Sequence, residues 1–249
     1  MEINEYNHKP AVEVLGRAGS AVDQGLRSYL IKVFNYMWVS LLITGATAYL
    51  FANTSLINLL YNIDMQAQTV SMSAIGWIIT FAPFALIFAF NYVVRNKSMS
   101  AVHAVFWLFS ALFGASMASI FLLYTAGSIT RVFLITACTF GAMSIYGYTT
   151  KHDLSGMGSF LLMGLFGVII ASIVNIWMQS SGLYYAISYI SVLIFTGLTA
   201  YDMQNIKALY YGQENEDARS RKAIMGALNL YLDFINLFMA LLRIMGDRR

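Results

Sequence analysis

The sequence predicts an all-α membrane protein with seven transmembrane helices. Three observations lead there. Of 249 residues, 59% are hydrophobic and only 11% charged, with a mean hydropathy of +0.64. That is too little charge to cover the surface of a soluble domain. The apolar stretches run unbroken for the roughly 20 residues that a helix needs to cross about 30 Å of hydrocarbon. They also lack the in/out alternation of barrel strands, and only two prolines occur in the chain, as suits long helices.

The elements follow in order. Residues 1–28 are polar and mixed in charge, without the apolar core of a signal peptide. They are read as a cytosolic N-terminal tail ahead of a single seven-helix domain, 29–249, whose first span is an uncleaved anchor. That span runs from about Val33 to Phe51, the second from Ala74 to Val94, the third from Val102 to Tyr124 and the fourth from Val132 to Thr149. Small residues Gly114, Ala115, Ala118 and Ser119 predict a helix-contact face in the third. From Leu154 to Tyr201 no residue is charged, enough for two helices, and "MQSSG" (Met178 to Gly182) is the polar turn between them. The fifth span is then about Phe160 to Trp177. The sixth runs from about Leu183 through Asp202 towards Tyr210, and the seventh from Ala223 to Met245.

Basic residues orient the set. With the N-terminus in the cytosol, the inner segments hold Lys9, Arg17, Arg27, Lys32, Arg95, Lys97, Lys151, Lys207, Arg219, Arg221 and Lys222, and the outer loops only Arg131. A full crossing by the last segment, the favoured reading, puts Arg243, Arg248 and Arg249 at the outer face; a re-entrant one returns them to the cytosol. The single cysteine, Cys138, forms no internal disulfide and is read as a small packed residue. His8, His103 and His152 have no ligand spacing, so no zinc, haem or other resident cofactor is predicted. A net charge of +3, with no Gly-rich phosphate loop and no basic-aromatic patch, argues against nucleic acid.

Two acids stand out. Of twelve, nine fall in the tails or cytosolic loops and Asp64 in the first outer loop. Only Asp202 and Asp233 sit inside predicted helices, where a carboxylate at the helix centre costs about 2.5–3.5 kcal/mol even on mild scales. Asp202 lies eight residues before Tyr210 and Asp233 eleven after Lys222, or about 12 and 16 Å of helical rise. On antiparallel helices joined by a short loop they reach similar depths. Asn229, Asp233 and Asn236 share one helix face, and Thr199, Asp202 and Asn205 form a similar stripe on the other. Two adjacent carboxyls in a poorly solvated site are expected to share a proton. The protonated pair links two helices; the doubly ionised pair repels itself and attracts a cation. Calcium takes 6 to 8 oxygens, so Asp202 and Asp233 as metal ligands need help from Asn229, Asn236, carbonyls and water, and the predicted site is weak and of transit type. The plainer alternative is that the acids only pin two helices together.

"TGLTAYDMQNIK" (Thr196 to Lys207) and "ALNLYLDFINLFMALLRIMG" (Ala227 to Gly246) resemble the signature of the Bax-inhibitor-1 family, the transmembrane Bax inhibitor motif proteins. "DQGLRSYLIKVFNYM" (Asp23 to Met37) and "GAMSIYGYTTKHDLSGMGSFL" (Gly141 to Leu161) extend the resemblance, which is to the bacterial branch. It implies a seven-helix fold with the C-terminal helix central, a pH-sensitive calcium leak governed by an aspartate pair at Asp202 and Asp233, and residence in the bacterial inner (plasma) membrane. It also implies a basic residue near the cytosolic end of the second helix that helps hold the latch, for which Arg95 is the nearest candidate. The expected partners are the lipid bilayer and calcium ions. Alternatives are a proton-coupled transporter, or a regulator binding another membrane protein such as a quality-control protease. An intramembrane aspartyl protease fits poorly, because the second acid sits in "LYLDF" and not Gly-x-Gly-Asp, and no proline follows Pro83; the chain is therefore not expected to be an enzyme.

Overall fold

The computed structural model describes the backbone of residues 11–64, 69–212 and 214–249, with side chains from residue 24 onward except 63, 64, 69 and 70. The elements are α1 (Ala11–Asn53), α2 (Ile57–Leu60), β1 (Tyr61–Asp64), β2 (Thr69–Met72), α3 (Ala74–Asn96), α4 (Met99–Ser116), α5 (Ser119–Leu123), α6 (Ala126–Thr149), α7 (Ser155–Met178), α8 (Ser181–Ala208) and α9 (Glu216–Met245). Among the described residues, seven helical stretches are long and apolar enough to cross a membrane: α1 from Gln24, α3, α4 with α5, α6, α7, α8 and α9. The chain is an all-α membrane protein. Polar residues flanking the apolar runs start the helices: Ser73, Ser98, Thr125, Ser180 and Asn215 each accept a backbone N–H of the first turn that follows. The polar "MQSSG" break ends α7 on Gln179 in the left-handed region (φ 49°).

The architecture is two groups of three spanning helices around a post. α1 and α3 pack on α4, and α6 and α7 pack on α8, while the groups join chiefly through α9, which touches α1, α4, α6 and α8. α9 is the central helix: 67% of its apolar window is buried, against 6% for α7 on the rim. Tyr231, Phe234, Leu230 and Leu237 form its core face. The two groups scarcely touch elsewhere, which leaves one seam between α3 and α7 and another between α1 and α6.

The structure differs from the sequence reading in four places. Residues 11–28 of the predicted tail are helix, continuous with the first span in a single 43-residue α1; residues 1–10 lie outside the described residues. The stretch holds three glycines, but also several good helix formers (Ala11, Glu13, Leu15, Arg17, Ala18, Ala21, Gln24 and Leu26) and no proline, and hydropathy does not measure helix propensity. The connection between the first two spans holds a short helix and an antiparallel hairpin pairing Tyr61 with Met72 and Asn62 with Ser71, strands too short to show a period. The third span breaks at Met117, whose N–H is shared between Phe113 O and Gly114 O, within the small-residue stretch. There Gly114 presses on α1 so closely that a Cβ would lie 2.4 Å from Thr44 O. Cys138 is exposed on the outer face of α6, not packed.

The last segment runs from one end of the bundle to the other and does not turn back. α9 runs unbroken, and its end docks on the α5–α6 turn: Thr125 N donates to Asp247 O (3.1 Å), Arg249 N to Leu123 O (3.0 Å), and Arg131 pairs with Asp247 at 2.8 Å. The start of α9 is tied to the opposite, basic end of the bundle. Lys32 of α1 pairs with Glu216 (2.6 Å) and donates to Ser220 (2.9 Å). Arg221 donates to Val94 O and, at 2.7 Å, to Lys97 O, capping the C-terminus of α3. Arg221→Leu is expected to lower unfolding stability in detergent by about 1.5–3 kcal/mol, the range for losing charge-assisted bonds. Arg95→Leu, at an exposed side chain, should stay within about 0.5 kcal/mol.

Candidate functional site

Asp202 sits two turns before the end of α8 and Asp233 in the middle of α9, the most closely packed pair of helices in the bundle. Most hydroxyls of the spanning helices are satisfied locally: Ser110, Thr136, Ser188 and Ser191 each donate to the carbonyl four residues back. The carboxyls have no such outlet, because a carboxylate only accepts and every helical N–H nearby is already engaged. They turn to each other. Asp202 and Asp233 come close together across the α8–α9 interface, on one cavity wall, where a proton on either one lets it donate to the other. Asp233 is 5% exposed and its Oδ2 is buried with no donor among the described residues. Asp202 is half-buried.

The pair borders a cavity of about 580 Å³ in the α3/α7 seam. Phe84 and Ile87 of α3, Phe113 of α4 and Leu162 and Leu165 of α7 make its apolar walls, and Asp202, Asp233, Asn205, Asn229 and Asn236 its polar one. Asn236 Nδ2 donates to Leu232 O (2.8 Å), so its amide oxygen remains for the cavity. Tyr201 and Asn205 are walls of this cavity and also of a recess at the basic end that holds Lys151, His152 and Asp153. The Ser155 hydroxyl and backbone N–H both donate to Asp153 and hold its carboxyl below the usual carboxylate range.

Two of the residues singled out from sequence fall elsewhere. Thr199 is fully buried, donates to Phe195 O (2.7 Å) and does not line the cavity. Arg95 points outward, away from the pair. The basic side chain that does hold the end of α3 is Arg221, from α9. Sequence reasoning also passed over Gln204, two residues after Asp202. Its Oε1 accepts Leu154 N (2.9 Å) and its Nε2 donates to His152 O (2.8 Å), clamping the α6–α7 loop to α8. Gly158 admits the Tyr201 ring, which a Cβ would meet at 2.5 Å. The only signal for Gln204 was its place in the motif around Asp202, and for Gly158 its place in the Gly141–Leu161 stretch.

Fold and site together define a seven-helix membrane protein with a carboxyl pair between its central helix and α8. A family model described as "Inhibitor of apoptosis-promoting Bax1" matches residues 26–249. The inner membrane protein YbhL of Escherichia coli is 44% identical over 228 residues, covering 90% of this chain and 94% of the relative. An uncharacterised protein of Rickettsia prowazekii is 43% identical over 227 residues, covering 91% and 92%. One of Caulobacter vibrioides is 38% identical over 249 residues, covering 99% and 100%. The chain belongs to the Bax inhibitor-1 family, as the sequence motifs indicated.

Proposed function

We propose that the protein is a pH-sensitive cation leak, with calcium as the transported ion, opened when the proton shared by Asp202 and Asp233 is lost. The observation that carries this is the close approach of the two acids at the wall of an otherwise largely apolar cavity. With the proton in place, the bond fastens α8 to the central helix. Without it, two unit charges about 4 Å apart repel by roughly 4 kcal/mol at an effective dielectric of 20, and the same charges attract a cation. The two carboxyls and the amide oxygens of Asn205, Asn229 and Asn236 offer calcium much of a 6-to-8-oxygen shell. No cluster of three or more His, Cys, Asp or Glu side chains occurs among the described residues, which suits weak binding in passage better than storage.

The bacterial inner membrane is the proposed location, in line with the printed name of the Escherichia coli relative. The N-terminus is placed in the cytosol because basic side chains crowd the end where α9 begins. The test is calcium flux into proteoliposomes between pH 6 and pH 8, for the wild type and with Asp202→Asn and Asp233→Asn. Flux that rises with pH in the wild type and loses that slope in both variants is expected. Absence of flux, or a slope that both variants retain, sinks the proposal.

A further inference from the structure

The seam between α1 and α6 carries a second built feature, at the basic end and on the far side of α9 from the α3/α7 seam. The two helices scarcely touch there, and a cavity of about 570 Å³ opens between them. Arg27, Leu30, Ile31 and Phe34 line it from α1 at i, i+3, i+4 and i+7, a single helical stripe. Ser144, Ile145 and Tyr148 line it from α6, and Met203 of α8 closes the floor.

Its polarity is graded. Arg27 is exposed at the mouth. A second cation, Lys207, sits 4.7 Å from the Tyr148 ring centroid and donates to Tyr148 O at 2.9 Å. Below the mouth the walls turn apolar, with Ile31 50% and Ile145 66% exposed. Next to Ile145, at the level of this apolar wall, lies Ser144, five residues before the end of α6 and so about 7 Å below it. Ser144 is 5% exposed, and its hydroxyl has no partner among the described residues. The hydroxyls of Tyr29, Ser40 and Thr196 are also without a partner among the described residues, but of these four only Ser144 lines the groove.

We propose that this groove is a binding site for an anionic phospholipid of the leaflet at the basic end. A cationic mouth at the level of the headgroups and, about one helical turn deeper, an unsatisfied hydroxyl set in an open-sided apolar wall match that molecule. Arg27, with Lys207 nearby, takes the phosphodiester; Ser144 donates to an ester carbonyl; an acyl chain lies along Ile31, Phe34 and Ile145. Basic grooves between spanning helices recognise anionic headgroups through this same pairing of charge and burial. The site is separate from the acid pair and does not depend on the chain conducting ions.

The test is lipid retention by the full-length protein, read by native mass spectrometry after exchange into mixed phosphatidylglycerol and phosphatidylcholine. The wild type is expected to retain phosphatidylglycerol about fivefold over phosphatidylcholine, the size of one basic contact near a membrane surface. Arg27→Gln should bring the ratio to about one. Ile31→Trp, which fills the groove without touching charge, should lower retention of both lipids. Both positions are exposed, so an unchanged melting temperature checks that the variants fold. Equal retention of the two lipids by the wild type, or wild-type retention by either variant, overturns the proposal. So does full competition by soluble glycerol 3-phosphate, which marks a free-phosphate site instead.

Discussion

Asp233→Asn is expected to leave calcium flux low and flat between pH 6 and pH 8. Asparagine is nearly the shape of aspartate, and its amide N–H replaces the shared proton with one that does not titrate. The bond to Asp202 across α8 and α9 then persists at every pH. A latch that opens by losing one proton changes its closed-to-open ratio by at most about tenfold per pH unit, so the wild type should vary strongly over this range where the variant does not. Asp202→Ala is the opposite case. It removes the bond and leaves Asp233 without a donor, and a buried unpaired acceptor costs about 1–3 kcal/mol or more. Its flux should also be flat, but at the high level. Two flat profiles at opposite levels separate a proton latch from a merely structural bond, whose loss lowers stability without creating or removing a pH slope. Equal flux levels in the two variants would contradict the latch.

Gly147→Ala is expected to destabilise the fold by about 2–3 kcal/mol, the upper part of the range for overpacking. A Cβ at Gly147 would lie 2.2 Å from Ala200 O and 2.9 Å from the Ala200 carbonyl carbon and Cα. The obstacle is backbone on α8, which has no rotamer to yield, so α6 and α8 must part. Gly141, two turns earlier on the same helix, has nothing within 4 Å of its Cβ position. Gly141→Ala should therefore be neutral or stabilise by up to about 1 kcal/mol through helix propensity. Thermal unfolding in detergent of the two single variants measures the difference. Because Ala200 is two residues from Asp202, Gly147→Ala should also weaken the pH slope of flux, and Gly141→Ala should not.

These expectations rest on contacts of unequal visibility in the sequence. The seven spans were legible because crossing hydrocarbon fixes the length and composition of a helix. The acid pair was legible because a carboxylate at membrane depth is costly and because α8 and α9 are joined by a short loop, so depth could be counted along the chain. Thr199 was not, since a three-residue spacing marks a face loosely and a hydroxyl, unlike a carboxyl, can bond to its own helix. Arg221 was invisible for another reason. It acts on Val94 and Lys97, more than 120 residues away, whereas Arg95 lay beside the expected position and was chosen by proximity. Hydropathy likewise hid the first turns of α1, because polar residues can be helical without entering the membrane.

The central position of α9 has a consequence for how the protein is made. Ribosomes deliver the other six spanning helices first, so the two three-helix groups enter the bilayer with the place of the post still unfilled. When α9 follows, its carboxyl at Asp233 meets hydrocarbon that already contains Asp202, on the helix inserted just before it. The later acid thus has its hydrogen-bonding companion waiting, and the insertion of the helix that completes the core is coupled to the one group able to receive its most unfavourable residue.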